Sequence, residues 1–474
     1  MNLFRRRQDA SPGLVLAIVC AGVVLASLDL FIVNVALPAI ARDLHTGGLA
    51  DLSWVLNAYA IVYAALLVLL GRLAESRRRD QGFLLGVVLF TAASAACGAA
   101  GNLLTLVVFR VLQAAGAALL TPTSLSLVLA TTPADRRSSA VRAWTAIGGL
   151  AAALGPVVGG LLVTASWRWV FLVNVPIGLA AVVVGWRRLP AVPGHPGPRP
   201  DALGAALITA GVAGLTLGLV KGNDWGWGSG RTVVVLVASV AILIAFAWRI
   251  ARARNPLFDG RLFAVPGFGG ASVVALVFSV AFGAMLLSRV LWCQQVWGWS
   301  ALSTGLAVAP GPLMVPLFSF LVAGRLIARL GPGRVIAIGA TLFAAGIVWW
   351  AAAEAVRPDY VGQMLGGMVL TGAGVGLTLP TFMATGAAAL PAHALATGSA
   401  VINMLRQVGL AVGVAVFIAV LGAGAAGDPV SAHRRALGVM AAASLLAAVA
   451  GLTGLRTPRP ASEPVVGAAV PDQG

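Results

Sequence analysis

The chain has 474 residues, 59% hydrophobic and 10% charged, with a mean hydropathy of +0.95. Soluble domains carry about 25% charged residues, so a soluble fold is excluded. A formal net charge of +17 would point to nucleic acid in a soluble protein. In this chain it traces to loop arginines that set membrane topology, and no nucleic-acid partner is expected.

The N-terminus, "MNLFRRRQDASPGLVLAIVCAGVVL", has a basic start and then an apolar run. That run is too long for a signal peptide and lacks a cleavage site, so it is read as a first retained helix. Apolar runs long enough to cross a bilayer then recur along the chain. They predict fourteen spans at 14–36, 52–71, 82–100, 104–129, 140–163, 168–186, 202–220, 232–250, 268–292, 303–328, 333–353, 361–388, 398–423 and 435–455. Tryptophans in "KGNDWGWGSGR" between spans seven and eight suit a membrane interface. A β-barrel would show short alternating segments instead. Most arginines fall in the alternate loops on the N-terminal side, which puts both termini in the cytoplasm.

A proline-rich connector, "RRLPAVPGHPGPRPD" (187–201), follows span six and reads as an extended linker. "GRLAESRRRDQ" (71–81) after span two is echoed by "GRLIARLGPGR" (324–334) after span ten. If spans seven and eight are an insertion, these follow the second helices of two six-helix halves, a transporter pattern. The expected organisation is a first bundle over 1–188, a linker with two inserted helices over 189–262, a second bundle over 263–458, and a tail over 459–474.

No ATP-driven chemistry is expected. A P-loop needs Gly-Lys-Ser/Thr, and Lys221, the sole lysine, precedes Gly222. His45, His195, His393 and His433 are scattered in predicted loops, and Cys20, Cys97 and Cys293 have no metal or disulfide spacing. Neither an enzyme site, a cofactor nor a metal is expected. An ion gradient remains as the energy source.

Two ionisable residues lie deep within spans. Asp29 is about 22 Å along its helix from Leu14 at 1.5 Å per residue, where a charge costs roughly 2.5–3.5 kcal/mol. Arg110 sits in span four within "VVFRVLQAAGAALLTP". Both need partners or water, and the economical expectation is a shared polar cavity in the N-terminal half. A carboxylate whose pKa is lowered by an arginine and raised by burial can switch its proton affinity when the arginine moves. The alternative is a static ion pair. In the second half, Arg289 is expected near an outer helix end, snorkelling to the interface. Arg406 is expected near the inner end of span thirteen, and Glu354 and Asp359 in solvent. That half then has no clear mid-membrane carboxylate, which argues against cargo with two fixed positive charges. Span five, "AIGGLAAALGPVVGGLL", offers a small-residue face at Gly148, Gly149, Gly155, Gly159 and Gly160, and Pro156 permits a kink.

Several motifs, in order along nearly the whole chain, resemble the major facilitator superfamily and specifically its fourteen-helix drug:proton antiporters. "LDLFIVNVALPAI" (28–40) looks like the first-helix motif, with Asp29, Asn34 and Pro38 in matching places; "WVLNAYAIVYAA" (54–65) is similar to the second helix. Arg110, Gln113 and Gly116 match an R-x-x-Q-x-x-G element associated with proton transfer. "LGPVVGG" (154–160) matches the antiporter motif, carried by Gly155, Pro156, Gly159 and Gly160. "SWRWVFLVNVPIG" (166–178) and "LRQVGLAVG" (405–413) are further matches. The loop after helix two departs from the family's G-x-L-A-D-R-x-G-R-R. It reads "GRLAESRRRD", so a gate would rest on Gly71, Glu75 and Arg79, and Asp80 takes a basic place.

The resemblance implies an all-α polytopic membrane protein of the major facilitator fold, with two six-helix bundles plus two extra helices. It implies proton coupling at Asp29 and Arg110, driven by the gradient without a cofactor. A midplane substrate cavity would draw on Asn34, Trp54, Asn57, Tyr59, Gln113, Gln294 and Asn403. Expected partners are the lipid bilayer, protons and a small-molecule substrate, with the chain a monomer in the cell membrane. The implied activity is export of small amphipathic drugs or antibiotics; the rival is export of an endogenous metabolite, siderophore or self-made antibiotic.

Overall fold

The computed structural model describes residues 11–45, 48–75, 78–133, 135–194, 201–390, 394–423 and 429–455. The tail 459–474 and most of the proline-rich part of the linker lie outside them. The described residues form helices, and fourteen are long and apolar enough to cross a membrane. They are α1 (Pro12–Asp43), α2 (Leu49–Ala74), α3 (Arg79–Gly98), α4 (Leu103–Thr131), α5 (Ser139–Ala165), α6 (Trp169–Arg188) and α7 (Ala202–Trp225). There follow α8 (Gly230–Arg252), α9 (Phe268–Val296), α10 (Ala301–Leu330), α11 (Pro332–Ala353), α12 (Tyr360–Ala388), α13 (Thr397–Gly422) and α14 (Val430–Gly454). Each matches an expected span. α14 starts earlier than expected, so His433 is helical and buried, not in a loop.

Polar caps start several helices by satisfying free backbone N–H groups. Asn102 accepts from Thr105 N at 2.9 Å at the start of α4, and Asp201 accepts from Gly204 N at 2.9 Å at the start of α7. Asp201 is also gripped by Arg249 of α8 at 2.8–3.0 Å, which ties the inserted pair together. Burial pushes the Asp201 carboxyl up, but Arg249 and the Gly204 N–H outweigh it and hold its pKa below the ordinary carboxylate value.

α1–α6 pack as one group and α9–α14 as another, meeting along two seams, α2 against α13 and α5 against α10. α7 lies over the first seam, touching both α2 and α13. Lys221 on α7 bonds Asp51 at 2.6 Å, fastening the insertion to the N-terminal bundle. α8 packs on α7 and turns Val234, Val237 and Ile244 outward, as a lipid-facing helix does.

Candidate functional site

α3 and α4 cross with their backbones in contact. A Cβ on Gly116 would lie 2.5 Å from Phe90 N, and one on Gly86 would lie 2.7 Å from Leu120 N. That approach sets Gln113, one turn before Gly116, against Ser94, with Nε2 to Oγ at 2.6 Å. Gln113 also donates to Asp29 Oδ1 at 2.8 Å and accepts from Arg110 Nη1 at 2.6 Å. Arg110 Nη1 reaches Asp29 Oδ2 at 2.5 Å, and its Nε donates to the Val55 carbonyl at 3.0 Å. Asn174 of α6 completes the group, donating to Asp29 Oδ1 at 3.4 Å and Ser94 Oγ at 3.3 Å. The Arg110 guanidinium lies 4.1 Å from the Tyr59 ring centroid.

Asp29, Ser94, Gln113 and Asn174 are wholly buried, and Arg110 is 1% exposed. A desolvated ion pair holds only if its remaining hydrogen-bonding positions are also filled. Gln113 and Asn174 fill those on the carboxylate; Val55 and the Tyr59 face cover the guanidinium. Sequence reasoning missed Ser94 and Asn174.

A cavity of about 330 Å³ lies between the bundles, lined by both. Tyr59, Asn34 and Asn403 line it. Asp29 and Arg110 do not; where a shared polar cavity in the N-terminal half is expected, they form a closed, buried pair. They meet behind α1, inside the first bundle. Gln113 is turned into the same cluster and is not a cavity residue. Arg110 and Asn57 border a separate space of about 30 Å³ instead. Gln294 reaches across to donate to the Val35 carbonyl at 3.1 Å, and Trp54 packs on the hydrophobic core, so neither lines the main cavity.

Three charges in the second bundle also differ from expectation. Arg289 is 2% exposed and does not snorkel. It lines the cavity, lies 4.5 Å from the Trp350 ring and pairs with Glu354 at 2.6 Å. Glu354, at the end of α11, is 3% exposed and not solvated. Burial drives its pKa above the ordinary glutamate value although Arg289 pulls the other way. Asp359 is exposed and caps α12 through Gly362 N. Arg406 sits nine residues into α13 (Thr397–Gly422) and lines the cavity, well away from the helix end.

The glycines of α5 mark close approaches. A Cβ on Gly155 would lie 2.7 Å from Phe31 Cβ, and one on Gly159 would lie 2.8 Å from the Ile32 carbonyl, both on α1. Gly160 faces the other bundle, where a Cβ would meet the Ala301 carbonyl at 2.6 Å. Pro156 lines the cavity, and its carbonyl would lie 2.3 Å from a Cβ on Gly305. In the 71–80 loop, Gly71 lies against Pro122, and Arg79 N donates to the Val192 carbonyl at 3.0 Å. Asp80 is wholly buried, pairs with Arg78 at 2.7 Å and accepts from Val192 N at 3.2 Å. The position where the family carries a basic residue thus anchors the start of the linker. The Glu75 side chain lies outside the described part.

Fourteen membrane-length helices, twelve of them in two bundles with a cavity between, make this a multi-pass membrane protein. The Major Facilitator Superfamily model matches residues 19–414, and the chain belongs to that family. It is 36% identical over 338 residues to the tetracenomycin C resistance and export protein of Streptomyces glaucescens, an alignment covering 71% of this chain and 62% of that protein. It is 35% identical over 433 residues to the cephamycin export protein of Amycolatopsis lactamdurans, covering 90% and 87%. The fold is also that of a POT peptide transporter crystallised with sulfate, at TM-score 0.68 and 17% identity, covering 92% of this chain and 93% of that one.

Proposed function

We propose that the protein is a proton-coupled antiporter of the cytoplasmic membrane, both termini inside, exporting small amphipathic drugs or antibiotics by alternating access. The observation that carries the proposal is the sealed Asp29–Arg110–Gln113 cluster. It sets a titratable carboxylate and its counter-charge against the far side of the wall that lines the cargo cavity. Protonation at Asp29 Oδ2 cancels the ion pair and frees the guanidinium to lean on Val55 and Tyr59. Deprotonation draws Arg110 back. Tyr59 belongs to both sites, so the cycle has a mechanical link to the cargo. No cofactor takes part, and a monomer suffices because one chain contains both bundles. Likeness to two export proteins supports the direction of transport.

The test uses inside-out vesicles with an imposed pH gradient. Asp29→Asn should abolish gradient-driven accumulation of cargo while cargo–cargo counterflow persists. Full gradient-driven transport by that variant would refute proton coupling at Asp29. Relatives named for the export of single compounds favour a narrower second reading, export of one metabolite or self-made antibiotic. Deleting the gene and comparing intracellular with secreted metabolites separates the two.

A further inference from the structure

The charges around the central cavity do not balance. Arg289 and Arg406 both line it, and no aspartate or glutamate lies among the described lining residues. Glu354 meets Arg289 at 2.6 Å from outside that lining and partners it. Arg406 has no ion pair among the described residues; its Nε is buried with no hydrogen-bond partner. Its electrostatic neighbour is the Tyr63 phenol, whose hydroxyl is bonded to Thr121 Oγ1 at 3.2 Å. Next along the chain, Gln407 is 1% exposed, lines the cavity, and has a side-chain carbonyl with no partner. Buried polar groups are nearly always satisfied, so adjacent orphans on a cavity wall mark where a ligand supplies the missing partners. The rest of the wall is mostly aliphatic and small residues with a few hydroxyls and amides, and Phe31, Trp144, Phe282 and Met368 add aromatic and thioether surface. Such surfaces accept flat apolar bodies of varied outline.

We propose that the cavity takes amphipathic organic anions: an apolar, aromatic-type body bearing one acidic group, with a hydroxyl or N–H donor beside it. The acid pairs with the Arg406 guanidinium, whose planar fork suits a carboxylate or a phenolate–carbonyl edge. The neighbouring donor is accepted by the Gln407 carbonyl. A cationic cargo meets an unmatched positive charge with no carboxylate to receive it. This inference rests on the exporter reading for its physiological meaning, but the binding chemistry stands apart from proton coupling.

The test measures binding to the full chain in lipid nanodiscs with three probes of one shape. They are 3-hydroxy-2-naphthoate, its neutral amide, and naphthylmethylammonium. The wild type should bind the anion at least tenfold tighter than the amide, and the cation weakest. Arg406→Gln should bring the anion down to the affinity of the amide and leave the amide unchanged, which also shows that the variant is folded. Arg406→Lys should recover part of the preference. The proposal is overturned if the anion binds no tighter than the amide, if Arg406→Gln keeps the preference, if the cation binds tightest, or if no probe binds at millimolar concentration. Cation-selective binding together with Asp29-dependent proton exchange would sink this proposal and leave the antiporter standing. Anion-selective, Arg406-dependent binding without Asp29-dependent exchange would do the reverse.

Discussion

Gly160→Ala should bias the protein away from the arrangement described above. The new methyl would stand 2.6 Å from the Ala301 carbonyl oxygen and 2.9 Å from Leu302 Cα, both backbone atoms of the opposite bundle. Ordinary contact begins near 3.4 Å, so the seam must open by several tenths of an ångström. Overpacking of this kind costs about 1–3 kcal/mol. The clash exists only while α5 and α10 are closed on each other, so the whole cost falls on that state. The open state should gain roughly 5- to 150-fold in relative population, since 1–3 kcal/mol corresponds to that range. Replacing glycine by alanine also favours a helix by up to about 1 kcal/mol, but equally in both states.

Spin labels at Thr164 and Ser303, both exposed and on opposite sides of this seam, report the separation by pulsed electron resonance. Gly160→Ala should move the distance distribution to longer values. Gly149→Ala, on the same helix, places its methyl where nothing lies within 4 Å and should leave the distribution unchanged. A Gly160→Ala distribution identical to the wild type would refute the claim that this seam opens as a rigid contact. Shifts of equal size in both variants would assign the effect to helix propensity.

In the sealed cluster, Asp29→Asn and Arg110→Gln should each lower stability by about 3–5 kcal/mol, because each strands a buried partner. The double variant should lose clearly less than the sum, read from melting in detergent; strict additivity would refute direct pairing. Glu354 has its pKa raised by burial, partly offset by Arg289, so folding favours its neutral form. Its contribution is fully present below the ordinary glutamate range and is lost as pH rises through the raised value. Wild-type melting temperature should therefore fall relative to Glu354→Gln on going up in pH, and a constant difference would contradict this. Asp201 is the opposite case: burial raises its pKa, but Arg249 and the Gly204 N–H bring it below the ordinary value. Its contribution is present above the unfolded value and lost as pH falls through the depressed one. Asp201→Ala should abolish that acid-side slope and increase proteolysis near α7, and an unchanged slope would count against the pairing.

The fold was legible in the sequence because each span is an uninterrupted apolar run, and its length alone fixes a membrane crossing. Asp29 and Arg110 were legible as charges where charge is expensive. Two of their neighbours were not. Ser94 and Asn174 are small neutral polar residues of a kind common in membrane helices, and only the packing of α3 on α4 and of α6 on α3 gives them a task. Glu354 follows the last residue of its span, where sequence reads a loop, but the side chain folds inward to Arg289. The facing of Asp29 is also legible in the spacing of α1. Ser27, Leu30, Phe31 and Asn34 recur at helical spacing and form the cavity face of α1. Asp29, two residues from both Ser27 and Phe31, is turned by about 200° from each, onto the opposite face.

That two-faced helix constrains how the proposed cycle transmits a proton's arrival. A carboxylate inside the cavity could sense cargo directly, by contact. Asp29 cannot, so the signal must pass through elements shared by both sites. Tyr59 is one: its ring carries the Arg110 guanidinium and also borders the cavity. α1 itself is the other, with Asp29 on one face and Phe31 and Asn34 on the other. α5 lies too close to α1 at Gly155 and Gly159 for the two to slide independently. A shift of α1 therefore carries α5, and α5 holds the closed seam through Gly160 against Ala301. In the proposed cycle, Gly155, Gly159 and Gly160 would thus link Asp29 to the seam by steric contact. Methyl groups at Gly155 or Gly159 would strain this linkage on the α1 side, whereas one at Gly160 acts on the seam directly. The first pair should uncouple proton movement from cargo movement, and the last should change which side is open while leaving the coupling ratio intact.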